Sequence, residues 1–141
     1  MSCVLPKGTP AVPGAFGFFS IDNGTANTRF GVRTDTSNGI LGERLLAGAA
    51  AVSPASFTYT PGMPIRLGAA IIGDGSMRLL AAGGTIQGVT GGASGGLTTL
   101  RVGVNALGGA ALFGETSVFR VLPFALPDAA LPGAVAALPG G

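Results

Sequence analysis

The chain has 141 residues, of which only 10% are charged and 47% hydrophobic, with 26 glycines and 10 prolines. It has no histidine, which excludes Ser-His-Asp and Cys-His catalysis and removes the commonest metal ligand, and its one cysteine, Cys3, excludes an intrachain disulfide and a thiolate metal cluster. Net charge is +2, from 8 basic and 6 acidic residues, and the arginines are scattered singly, which speaks against nucleic-acid binding.

In chain order, residues 1–14 hold Pro6, Pro10 and Pro13 with Gly8 and Gly14. Proline fixes φ and lacks an N–H, so these residues are expected to form an extended arm, either a frayed end or a strap over a neighbouring subunit, and the apolar Val4, Leu5 and Val12 favour the strap. Residues 15–21, AFGFFSI, read as an aromatic strand, and the Asn23-Gly24 pair as a hairpin turn into a half-buried strand, TRFGVRT, at 28–34. Residues 35–39, DTSNG, are a second turn, and 40–47 the next strand. Residues 47–56 read as a small-residue loop, too short in good helix formers to nucleate a helix. Short strands are expected at 57–60, 65–72, 77–82 and 85–89, separated by Pro-Gly, Gly-Asp-Gly and Gly-Gly turns. A Gly-rich loop at 90–96 leads to two further strands, one from Leu97 to Val104 and one over 116–124, TSVFRVLPF. These two read as the inner pair of the fold, with Pro127 opening a short helical turn. The last residues, 132–141, read as a Pro/Gly/Ala tail, extended or disordered.

Turn signals recur about every 8–12 residues and no long window carries a helical stripe, which predicts an all-β fold, an antiparallel sandwich. One domain over 15–131 is expected, between the arm at 1–14 and the tail at 132–141. No apolar run reaches about 18 residues, so no transmembrane helix is expected. The N-terminus lacks the compact apolar core of a signal peptide, so synthesis in the cytoplasm is expected.

Four stretches carry a family resemblance: FGFFSIDNGTANTRFGVRTD at 16–35, IRLGAAIIGDGSMRLLAAGG at 65–84, GLTTLRVGV at 96–104 and FRVLPFALPDAAL at 119–131. In this order they resemble the laminin-G-like, concanavalin A-like jelly-roll modules of bacteriophage structural proteins. The resemblance covers residues 15–131 and implies a jelly-roll sandwich in a virion protein. Two departures stand out. Such modules carry one or two more strands before the FGFF segment, so a first strand is expected to be absent here. They also often place a Trp near position 70, where this chain has Ala69, Ala70 and Ile71. A sheet short of one strand has an open edge, which pairs with other chains.

The candidate sites are few. Asp22, Asn23, Asn27 and Asp35 could line one rim and bind calcium through oxygens, but Asx residues are also what turns use and no calcium-loop spacing is present, so the turn reading is favoured and calcium is a weak alternative. The Gly-rich segments lack the Lys and following helix of a phosphate loop. The six acids show no paired arrangement of the glycosidase kind, so no enzymatic activity and no cofactor are expected. Arg101 and Arg120, on the two late strands, are the remaining candidate partner contacts, meeting carboxylates across an interface or marking the solvent face. The expectation is a non-enzymatic virion protein that binds other capsid or tail subunits and forms a homo-oligomer, first of all as a head-decoration module. The alternative is a tail or tail-fibre module that touches a host-surface glycan. Membrane and nucleic-acid partners are not expected.

Overall fold

The computed structural model describes residues 2–4, 17–60, 63–92, 96–103 and 115–139, and for 2–4 and 115–118 it describes the backbone. The strands are β1 (Ser2–Val4), β2 (Gly17–Asp22), β3 (Arg29–Thr34), β4 (Gly39–Leu46), β5 (Ala49–Val52) and β6 (Phe57–Thr58). They continue as β7 (Pro64–Ile71), β8 (Met77–Ala81), β9 (Gln87–Val89), β10 (Thr99–Val102) and β11 (Glu115–Val118), and a short helix α1 (Leu131–Ala136) follows. The fold is all-β, with every described strand pair antiparallel. The larger sheet has the order β10-β2-β3-β4-β5, with β6 also on β4, and the smaller has the order β11-β1-β7-β8-β9.

Both sheets feed one apolar core. Phe18, Phe30, Val32 and Ile40 come from the larger sheet, and Ile65, Leu67, Met77, Leu79 and Val89 from the smaller. β3 shows how the sequence dictates this: in RFGVRT the residues Phe30, Val32 and Thr34 are buried, and Arg29, Gly31 and Arg33 turn to the other face. Burying a side chain of this size contributes about 1.5–3 kcal/mol. Two glycines permit the closest approaches. A Cβ on Gly84 would lie 2.0 Å from the Ser56 carbonyl oxygen, and one on Gly88 would lie 2.3 Å from that of Met77. Ser56 joins the layers at the first of these points. Its hydroxyl donates to the Thr85 carbonyl at 2.6 Å and accepts from the Ala81 N–H at 3.0 Å.

The two early hairpins form as expected. Asp22 accepts from the Gly24 N–H at 2.8 Å in the first turn, and Asp35 accepts from Ser37 and Gly39 at 2.8 and 2.7 Å in the second. Five expectations are corrected. Residues 2–4 are not part of an unpaired arm: they pair with β7 on one side and β11 on the other. A strand therefore does precede the FGFF segment, and the prolines that suggested an arm begin only at Pro6. The small-residue loop at 47–56 contains β5, reached through a two-residue turn in which Ala47 and Gly48 both have positive φ, 48° and 84°. The late strands β10 and β11 are not an inner pair. Among the described residues they lie at the ends of two different sheets, β10 beside β2 and β11 beside β1, which takes the interior place next to β7. The tail at 132–141 is not extended throughout. The turn at Pro127 continues into α1, with Pro132 rather than Pro127 in the first helical turn. Leu131 and Val135 of α1 pack on Leu80 of β8. Among the described residues, no helix is long and apolar enough to cross a membrane.

Candidate interaction surface

One flank of the molecule is built by β10, β2 and the chain leaving β11. Phe19 of β2 stands opposite Val102 of β10, and its ring meets that of Phe119 edge-on, with centroids 6.0 Å apart and planes at 63°. This contact ties the larger sheet to the segment that follows β11. Beyond it the chain leaves the sheet. Val121 is 63% exposed, Leu122 41% and Phe124 62%, and Arg120 is exposed beside them. Pro123 and Pro127 interrupt this segment, so it cannot continue a central strand. Three large apolar side chains in four residues are therefore left in solvent. On β10, Leu100 and Val102 are also exposed.

The outer face of the larger sheet carries the charge. Arg101 of β10 donates from Nε to Asp22 Oδ2 at 2.7 Å, and the Asp22 side chain is fully buried while Arg101 keeps 28% of its exposure. The Arg101 hydrogen bond, opposed by desolvation and helped by the Gly24 N–H, holds the Asp22 carboxyl below its ordinary value. Two residues along the sheet, Glu43 accepts from Arg29 Nε at 2.9 Å with one oxygen and from Arg33 Nε at 2.8 Å with the other. Gly31 lies between those two arginines, opposite Glu43. It keeps the middle of the face flat enough for one carboxylate to serve both. Ser20 stands opposite Gly31 and Arg101, and its hydroxyl is buried with no hydrogen-bond partner among the described residues, a cost this face bears.

Two adjoining hollows of about 400 and 350 Å³ share Arg66, Ala82 and Gly83, the first beside α1 on the outer face of the smaller sheet and the second beside β6 and the start of β7. Arg66 is the one charged residue in their lining. Its Nη1 donates to the Ala136 and Leu138 carbonyls, both at 3.3 Å, and so satisfies the end of α1.

The expected contact residues fall apart in space and role. Val4 lies in β1, inside the smaller sheet; Leu5 and Val12 lie outside the described residues. Arg101 serves an internal ion pair, which leaves Arg120 as the candidate that stands in the exposed apolar segment. Among the weighed oxygen ligands, Asp22 and Asp35 close their own turns and Asn23 accepts from Thr25. Among the described residues, no group of three or more acids or cysteines could hold a metal ion. Sequence reasoning missed Val121, Leu122 and Phe124 as surface residues because TSVFRVLPF looks like a buried strand; Pro123 is the signal against it. The chain matches no family model, no curated protein and no solved structure.

Proposed function

We propose that this chain is a non-enzymatic structural protein of a bacteriophage virion, made in the host cytoplasm. It acts as a small head-decoration or cement-type module on a jelly-roll, concanavalin A-like sandwich, and its task is to bind neighbouring capsid subunits. The observation that carries the reading is the exposed run Val121, Leu122 and Phe124 beside Arg120, in a chain with only 14 charged residues. Apolar side chains grouped in this way mark interaction surfaces, and an arginine at the rim adds a directed contact. A tail or fibre module that touches a host glycan is the second reading, and Phe124 is the exposed aromatic that favours it.

The test uses surface substitutions rather than truncation, because removing residues 1–14 would also remove β1. Val121→Ser, Leu122→Ser and Phe124→Ser are combined in the full chain, and particles are purified with wild-type or variant protein. Wild-type protein should travel with heads, and the variant should be lost from them while keeping its circular dichroism spectrum. Absence of the wild-type chain from particles overturns the reading, as does full incorporation of the variant. Recovery on tails together with a saccharide hit on a glycan array replaces it with the second reading.

A further inference from the structure

We infer that β5 is a self-pairing edge, through which two copies of this chain join their larger sheets across a two-fold axis. The inference stands apart from the virion reading and holds for a chain of any origin.

β5 closes one side of the larger sheet, and among the described residues no strand pairs with its outer edge. Its direction of bonding can be read from the ladder. The Ser53 N–H donates to the Gly42 carbonyl of β4 at 2.9 Å, so Ser53 faces β4. Backbone groups alternate sides along a strand, so Ala51 and Ala49 also face β4 and Val52 and Ala50 face outward. The Leu46–Ala49 pair that closes the two-residue turn fits the same phase. The outer edge therefore offers the N–H and C=O of Ala50 and Val52.

Edges of this kind are normally blunted by lysine, proline, a bulge or a covering element. β5 has none of the first two: it reads Ala-Ala-Ala-Val, with Ala49, Ala50 and Val52 exposed. A second copy fits it by symmetry. With Ala51 on the axis, Ala50 of each copy faces Val52 of the other, and their outward groups make four hydrogen bonds. The two Ala51 residues then meet in a non-hydrogen-bonded pair, where Cα atoms come to about 4.5 Å and small side chains are favoured. No like charges are opposed within the paired strands, and Val52, 44% exposed in the single chain, is covered by the partner's Ala50. The contact is small, so the dimer belongs to the weak class that forms at high concentration.

Sedimentation velocity of the full chain from about 10 to 500 μM tests this in the concentration range of a weak complex. The wild-type coefficient should rise with concentration towards that of a dimer. Val52→Lys, which sets a charge on the edge, and Ala50→Pro, which deletes an outward donor, should each weaken association at least tenfold. In a Cys3→Ser background, Ala51→Cys should give a covalent dimer on mild oxidation, because Cα atoms about 4.5 Å apart lie within disulfide reach. Ala49→Cys, which faces the partner's Ser53, should crosslink far less. A wild-type chain that stays monomeric overturns the inference. So does a dimer untouched by Val52→Lys, or equal crosslinking of the two cysteine variants.

Discussion

The outer faces of the two sheets meet the same demand, shelter of a pleated surface from water, with opposite chemistry. On the smaller sheet the outward positions Gly68 and Ala70 of β7 and Leu80 of β8 are small or apolar, with Arg66 and Arg78 beside them. Such a face needs a cover, and α1 supplies one. A Cβ on Gly68 would lie 2.8 Å from Val135 Cγ2, so the helix rests almost on the backbone of β7. Arg78 and Asp128, 3.7 Å apart, mark the rim. On the larger sheet the same positions hold Asp22, Arg29, Arg33, Glu43 and Arg101, more than a third of the chain's 14 charges on one face. Two carboxylates hold these three arginines in ion pairs, and among the described residues no helix lies over them. A polypeptide poor in charge has thus concentrated it where no covering element is present. A face whose charges are held in ion pairs can stay open, and one that is largely apolar is better covered.

The strongest way to break this contrast is to loosen the cover. Leu131→Ala removes the larger of the two α1 side chains seated on Leu80. Deleting a buried leucine side chain costs about 2–5 kcal/mol, and a satellite cluster belongs near the lower end. Urea unfolding should show a midpoint lowered by the equivalent of about 2–3 kcal/mol with little change in slope. A loss under about 0.5 kcal/mol, the size of an ordinary surface substitution, would mean that the smaller sheet does not need its helix.

On the charged face the largest effect is expected at Asp22, the one acid there that is wholly buried. Asp22→Asn leaves Arg101 without its carboxylate and should cost about 1–3 kcal/mol. The pH profile identifies the cause. In the folded chain the Asp22 carboxyl is held below its ordinary 3.8, chiefly by the Arg101 hydrogen bond. The unfolded chain therefore takes up the proton first, so this stability is present above about pH 4 and is lost as pH falls through the folded value. Wild type and variant should differ most at neutral pH and converge in acid. Asp74, lowered mainly by the Ser76 N–H, contributes the same acid dependence to both. A difference that stays constant from pH 7 to about pH 2 would assign the loss to packing instead.

How much of this was legible in the sequence depended on whether a local rule decided the outcome. The strands β2, β3, β7 and β8 were visible because alternation and Asx-Gly turns are local signals, and the structure keeps them. β5 was not visible, because Ala47 at positive φ carries no turn signature and a run of alanines has no strand pattern. β1 was hidden by the prolines that follow it, and its place between β7 and β11 is set by long-range pairing alone. That pairing leaves β11 at the end of the smaller sheet, and pairing with β2 leaves β10 at the end of the larger, where an apolar reading of 97–131 expected the centre. The late arginines could be singled out but not assigned. What separates Arg101 from Arg120 is a carboxylate 79 positions away, brought near by register.

The smallest expected effect sharpens the contrast most, because it separates the two faces by solvent rather than by size. Glu43→Gln removes the carboxylate shared by Arg29 and Arg33, all three of which keep some exposure. A partly exposed pair contributes about 0.2–1 kcal/mol, so the loss should be about 0.5–1 kcal/mol in dilute buffer. Salt at about 1 M shortens the screening length to about 3 Å, comparable with the ion-pair distances themselves. The gap between wild type and Glu43→Gln should then close to a small remainder, while the gap for Leu131→Ala, which rests on buried apolar contact, should stay open or widen. Thermal unfolding of the three proteins at low and high sodium chloride measures both gaps together. If the Glu43→Gln gap survives salt undiminished, the carboxylate acts as a packed hydrogen-bond acceptor, and the charged face is held by fit rather than by charge.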